Sequence, residues 1–427
     1  MFCQKLYLFE FYKMNIRNVV VKNTHSAHHG QEVDIRIEKG IIESIKESKI
    51  KSDDPKLISP GLMDLSSHFN DPGTEYKEDL ITGLKTACEG GFTDVCTLPN
   101  TFPAADNRST IEYILTKASR QVTSVHPLGA LSKELKGDSL AEILDLKASG
   151  AIAFTDGLAP LMNAELLLKA LQYVQKFKGL VISRPRDLSL SRGGQMHEGN
   201  VSTSLGLEGL SSLSEKVMIE RDLSVLAYTG GRLHIHGVST FESVALIAAA
   251  KKSGLAVTCD VILHQLCYSE DYLSSFNSYY KVDPPLRTDK DIQALKNGLV
   301  NGTIDALSID HLPQDEESKI LEFDLAAFGM IGLQTAFSSL LGLASKELPL
   351  DTLLEKLSNG PRKVLKLPTI KIEEGEFAKL TLLDAHLKWQ YNEESNISKS
   401  NNSPLFAQLL TGKSVGVING EKLYFPS

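Results

Sequence analysis

The polar residues that could do chemistry cluster at the ends of short apolar runs. These are SPGLMDLSSHFNDPG from Ser59, TLPNTFPAADN from Thr97, AFTDG from Ala153, VISRPRD from Val181, LHIHGVST from Leu233, VILHQL from Val261 and LSIDHLPQ from Leu307. The chain holds 11 histidines, and several stand in these segments beside aspartates. Imidazole and carboxylate side chains gathered in one place are suited to holding a metal ion, activating water and moving protons.

Such residues need a scaffold that brings strand ends together. From Ser59 onward the apolar runs alternate with longer amphipathic stretches, LITGLKTACEGG, NAELLLKALQYVQKFKG, TFESVALIAAAKKSG and DIQALKNGLVNG among them. Strand and helix in alternation predict a parallel α/β sheet or barrel. Each of these helices closes on a glycine suited to a left-handed cap. In a (β/α) barrel, function sits at the C-terminal strand ends, where the polar residues lie. The two chain ends read differently. Residues 16–58 alternate as short strands around a Lys39-Gly40 turn, and EFAKLTLLDAHLKWQY and KSVGVINGEKLYF return to that pattern, with Asn419-Gly420 as a hairpin turn. The last segment is expected to pair with the first.

Composition narrows the function. The chain has 427 residues with 45 Lys and Arg against 53 Asp and Glu, 42% hydrophobic residues and a formal charge of −8. An acidic chain without a basic run excludes nucleic acid and anionic membrane as main partners, and no apolar run is long enough to span a bilayer. Cys3, Cys88, Cys96, Cys259 and Cys267 form no regular framework, which points to reduced thiols in a cytoplasmic protein. Met1–Tyr12 reads as an extra leader, with Met14 a better-placed start.

In this order, the strand-end segments resemble dihydroorotase of the amidohydrolase superfamily, the kind that partners aspartate carbamoyltransferase. GGQMHEGNVSTSLGLEGL, KVDPPLR, AAFGMIGLQTAF and SKSNNSPLFAQLLTGK extend the resemblance over nearly the whole chain. It implies a (β/α)8 TIM barrel over residues 59–366 and a small β-sandwich from residues 1–58 and 367–427. It also implies pyrimidine biosynthesis, a zinc site if the protein is active, and aspartate carbamoyltransferase as a partner. A homo-oligomer is expected.

The same resemblance exposes departures. The family's Asp-x-His-x-His-x-Arg reads Asp64-Leu65-Ser66-Ser67-His68-Phe69-Asn70 here, so His68 remains while Ser66, a neutral alcohol, stands at a zinc-ligand position. Asn70 can hydrogen-bond a substrate carboxylate but lacks the charged fork of arginine. Asn100 matches the substrate-contacting asparagine of Pro-Asn-Thr, and Asp156 falls at a carboxylate-ligand position. The family's His-x-Glu-Asp is Arg184-Pro185-Arg186-Asp187, and a guanidinium has no free lone pair for a metal. Gly237 takes the place of a third ligand histidine. His236 precedes it by one residue, which in this frame points it away from the barrel axis unless a bulge intervenes.

Asp310 matches the aspartate that binds metal and shuttles the proton, and is the candidate catalytic base. Gln314 replaces a substrate-binding histidine, and Asp283 replaces a substrate-contacting asparagine. The resemblance thus leaves His68, Asp156 and Asp310 as candidate metal ligands. Zinc lowers the pKa of bound water from about 15.7 to about 7, a gain on the order of 12 kcal/mol in hydroxide availability that Asp310 alone cannot supply.

Two readings follow: a dihydroorotase working with a reduced metal site, or a catalytically silent relative that serves as an assembly partner and binds no cofactor. The second has Arg184 replacing the cation in a buried pair with Asp156 or Asp310. A third has Arg184, Arg186 and Asn100 holding a different carboxylate or phosphate. Plainer roles compete for the rest: hydrogen-bonded core positions for His68 and His264, packing for His234, a turn cap for His311, a brace for Asp64, a loop contact for His197, and surface positions for His25, His28, His29 and His386.

Overall fold

The chain ends meet in one sheet. The computed structural model describes residues 13–426; Met1–Tyr12, with Cys3 and the expected leader, lies outside them. The first strands are β1 (Lys13–Val21), β2 (Glu32–Glu38), β3 (Ile41–Glu47) and β4 (Lys56–Pro60). In β2, Val33, Ile35 and Ile37 are buried between half-buried neighbours, the period of two that gives a sheet one apolar face.

Eight strand positions follow that form the barrel: β5 (Leu62–Ser67), β6 (Phe92–Thr97), β7 (Ser124–Pro127) continued by β8 (Gly129–Ala130), β9 (Phe154–Thr155) and β10 (Val181–Ser183). A small ribbon of β11 (Met196–His197) and β12 (Gly209–Leu210) intervenes before β13 (Leu233–Ile235), β14 (Val257–Ile262) and β15 (Ala306–Ser308). Neighbouring barrel strands pair in parallel, and a parallel bridge from Ser67 to His311 joins the last to the first. Every residue of β5 and β6 is buried, as expected of strands covered on both faces.

The tail supplies β16 (Lys379–Tyr391), β17 (Gln408–Asn419) and β18 (Lys422–Tyr424), and the end sheet runs β18-β17-β16-β4-β1-β2-β3. Contrary to expectation, the last segment does not pair with the first. The link between the ends is β16 against β4, while β17 lies between β16 and β18. The sheet then curls on itself. Ile42 donates to the Glu376 carbonyl, and the turn at Gly40 comes against Gly420, so closely that a Cβ on Gly40 would stand 3.0 Å from the Gly420 backbone. Both glycines have positive φ (72° and 65°), which a residue with a side chain adopts only at a cost. Val19, Ile35, Ile42, Ile58 and Leu380 fill the space enclosed.

Helices cover the barrel and bury Leu84, Ile111, Leu167, Ile247 and Leu295 against it. One expected cap differs. The helix Ala164–Val174 runs into a short 3-10 turn that ends at Lys178 in left-handed geometry, and Gly179 instead lies tight against Val174 and Phe177. No helix among the described residues is long and apolar enough to cross a membrane.

Candidate active site at the barrel mouth

Asp310 follows β15 in left-handed backbone geometry (φ 52°), which short polar side chains tolerate. Its carboxylate is buried and receives three groups from other strand ends. Arg184, just after β10, places Nη2 3.2 Å from Oδ2 and Nη1 3.4 Å from Oδ1. Ser66 of β5 donates to Oδ1 at 2.8 Å. His236, just after β13, brings Nε2 to 3.6 Å from Oδ1. Burial opposes the charged carboxylate, but Arg184, His236 and Ser66 outweigh it and hold Asp310 well below the usual carboxylate range.

A second layer completes the charge balance. Asp260 of β14 lies 2.8 Å from Nδ1 of His236 and 3.3 Å from Nε2 of His234, whose Nδ1 meets Thr258 at 2.9 Å. Arg184 also donates to the Asp283 carbonyl, and Arg186 donates to the Asp283 carboxylate at 2.7 Å. Three cationic groups, Arg184, Arg186 and His236, thus face three carboxylates, Asp260, Asp283 and Asp310. Arg184, His236, Asp260 and Asp310 are buried, so removing any one of these four strands a charge, while Arg186 and Asp283 are half-buried.

His236 corrects the sequence reading, because it points inward. Leu233 and Ile235 pack among the helices outside the barrel, so the alternating residues His234 and His236 face the interior. Gly237, at φ 72°, turns the chain after them, and its N–H donates to Asp260 at 2.6 Å. Burial disfavours the His236 imidazolium, but Asp260 and Asp310 prevail and raise its pKa to about 9, above the ordinary 6.5. A raised histidine stabilises the fold fully below pH ~6.5 and loses that contribution as pH rises through about 9. Urea titrations across this range should show the midpoint falling, by roughly 3 kcal/mol in stability. His236→Gln should flatten that dependence, and an unchanged slope in the variant would refute the assignment.

The remaining predicted residues are engaged elsewhere. Both oxygens of Asp156 are taken by the Leu131 and Ser132 N–H groups and the Ser132 hydroxyl at 2.6–3.0 Å. Asn100 donates to the Asp156 carbonyl at 3.1 Å and accepts from the Leu158 N–H at 3.0 Å. His68 Nε2 meets the Asn100 carbonyl at 2.6 Å, and burial lowers its pKa. Asn70 accepts from Thr74, and Gln314 is tied to Lys77 at 2.7 Å and to the Phe328 carbonyl. Asp64 accepts from the Ile309 N–H at 2.7 Å and so braces β5 to the end of β15, and burial raises its pKa to about 7. His197 meets Arg287 at 2.9 Å. Arg184, Arg186 and Asn100 are therefore already partnered and do not form an open anion cradle.

His68, Asp156 and Asp310 do not form a ligand set, although His68 feels the charge of Asp310. Among the described residues, no group of three or more His, Cys, Asp and Glu side chains is placed to hold a metal ion. The donor set fits a zinc poorly for a further reason: the best carboxylate, Asp310, already carries a guanidinium, which ligates nothing and repels a cation. Asp260 was not singled out in the sequence. Its signal was a lone carboxylate inside the apolar run LAVTCDVIL.

Known proteins give this site its context. A family model described as Dihydro-orotase-like matches residues 55–243. The chain is 42% identical to the dihydroorotase of Caldicellulosiruptor saccharolyticus, covering 91% of this chain and 91% of that protein. It is 41% identical to the dihydroorotase of Pelotomaculum thermopropionicum, covering 86% and 87%. Among solved structures, an L-hydantoinase (dihydropyrimidinase) from Arthrobacter aurescens shares the fold with a TM-score of 0.81 at 21% identity, over 96% of this chain and 95% of that one. With identity of this order over nine-tenths of its length, the chain belongs to the dihydroorotase-like family.

Proposed function

We propose that this chain is a dihydroorotase-like protein of pyrimidine biosynthesis that has lost hydrolytic activity and serves in the cytoplasm as an assembly partner of aspartate carbamoyltransferase. The observation that carries the first half is the buried Arg184–Asp310 pair at 3.2 Å. It ties up Asp310, the candidate base, at the point where a metal-activated water would be needed. Held well below the usual range, Asp310 is a weak proton acceptor at neutral pH. Family membership supports the pathway, and the partner role rests on the resemblance of the full chain to the transcarbamoylase-associated kind.

A second reading, an active cyclic-amide hydrolase interconverting dihydroorotate and N-carbamoyl-aspartate with a reduced zinc site, draws on relatives above 40% identity that are named dihydroorotase. Assays in both directions, with and without added zinc, separate the two. Rates no greater than the protein-free control are expected. Turnover well above it would reject the silent reading, and failure of the native protein to co-purify with a transcarbamoylase would reject the partner role.

A further inference from the structure

Two lysines beside the barrel mouth are turned inward. Lys281 and Lys319 are 1% and 2% exposed, and the chain from Lys319 to Gly329 is wound about their amino groups. Lys281 Nζ donates to the Phe323 carbonyl at 2.6 Å and the Asp324 carbonyl at 3.0 Å, and it lies over the rings of Phe323 and Phe328. Lys319 Nζ donates to the Ala327 carbonyl at 2.8 Å and the Gly329 carbonyl at 3.2 Å. Backbone bonds close the same loop, from the Gly329 N–H to the Lys281 carbonyl and from the Ala327 N–H to the Ser318 carbonyl. Its ends touch the mouth. The Phe328 carbonyl accepts from Gln314, and Asp283, two residues after Lys281, holds Arg184 and Arg186.

The loop supplies carbonyls but no counter-charge. Among the described residues, no carboxylate comes within 4.0 Å of either amino group. Asp324, on the loop itself, reaches Lys281 only at longer range, and the charge that reaches Lys319 is that of Lys281. From the packed elements, Tyr280 of the 3-10 turn Ser278–Tyr280 joins the apolar cluster of Phe323, and burial raises its pKa. Glu316, which opens the helix Glu316–Lys319, acts on Tyr279. A buried cation without a carboxylate is costly, and the neutral amine avoids that cost. It keeps two N–H groups, enough for the two carbonyls that each lysine meets. Burial, with the charge of Lys281 added, lowers the Lys319 pKa to about 7, and burial lowers that of Lys281 to about 8 against the pull of Asp324, both from an ordinary 10.5.

We propose that residues 320–328 form a proton-operated latch beside the barrel mouth, which closes as Lys319 and Lys281 give up their protons and loosens as they take them up. The latch does not rest on the reading of the Arg184–Asp310 centre. An opened loop returns both lysines to water, so the open state binds more protons between about pH 7 and 10.5, and closure gains stability as pH rises through that window. The His236 contribution runs the other way, so a change in global stability cannot imitate the latch.

Amide hydrogen exchange of the full chain, divided by the intrinsic rate at each pH, tests this. Protection across residues 318–330 should rise by about tenfold or more between pH ~6 and pH ~8.5. Lys319→Met should remove most of that rise, and Lys319→Met with Lys281→Met should abolish it, whatever the lost carbonyl bonds do to protection at a single pH. Protection in the parent that is flat or falls with pH, or a rise that survives in the double variant, would overturn the proposal. Should the variants fail to fold, spectra of the parent labelled with carbon-13 at lysine Cε decide. A lysine that titrates near neutrality supports the latch, and none titrating below about pH 9 overturns it.

Discussion

Replacing Arg184 with methionine is expected to destabilise the protein by about 3–5 kcal/mol. The side chain is similar in length and apolar, so packing is largely kept and the loss is electrostatic. Asp310 would remain buried with only the Ser66 hydroxyl and His236 to answer its charge, and the Asp283 carbonyl would lose its donor. A second substitution isolates the contribution of charge. Arg184→Met combined with Asp310→Asn removes both charges, and stability should return to within about 1–2 kcal/mol of the parent, because a neutral pair no longer carries the desolvation penalty. A loss below about 1 kcal/mol in the single variant would mean that the pair is solvated and that the barrel mouth is open to water.

Asp94→Asn is expected to be of similar size, for the opposite reason. Asp94 lies near the start of β6, at the far end of the barrel, where Arg362 reaches it at 2.5 Å, Lys379 at 2.7 Å and His126 at 2.8 Å. Burial would raise its pKa, but Arg362, Lys379 and His126 hold it far below the usual range. Lys379 begins β16 and Arg362 lies in the last barrel helix, so this one carboxylate clamps the end sheet to the barrel. Its loss strands the buried Arg362 and the half-buried Lys379, at a cost of about 3–5 kcal/mol in urea unfolding. The parent should also lose this contribution as pH falls below about 4, where the unfolded aspartate protonates and the folded one does not. Asp94→Asn should remove that acid dependence, and a variant as stable as the parent would show that the clamp contributes little.

Much of this was legible in the residues. Polar side chains at the ends of apolar runs marked the barrel mouth, and the swap of imidazole for guanidinium at Arg184 required a carboxylate partner, since a buried cation is not left alone. Which carboxylate it takes is not legible: Asp156 and Asp310 stand at equivalent strand ends, and it is the Leu131 and Ser132 N–H groups with the Ser132 hydroxyl, all on Asp156, that decide between them. A ligand frame anchored on Gly237 gives His236 the wrong facing. The apolar pair Leu233 and Ile235 was the better guide to facing. Asp260 is not legible in its own segment because its partners, His234 and His236, come from a different strand. The pairing of β16 with β4 was hidden for a similar reason. Alternation shows that a segment is a strand but not which neighbour it takes.

Arg184 stands where the resemblance implies a metal-ligand histidine, and its guanidinium takes the place of a cation beside Asp310. Elemental analysis of the native protein, purified without chelators and with zinc in the medium, tests this most directly. Well below one zinc per chain is predicted, unchanged after incubation with excess zinc and desalting. Stoichiometric zinc that survives desalting would show that Arg184 does not replace a metal ion.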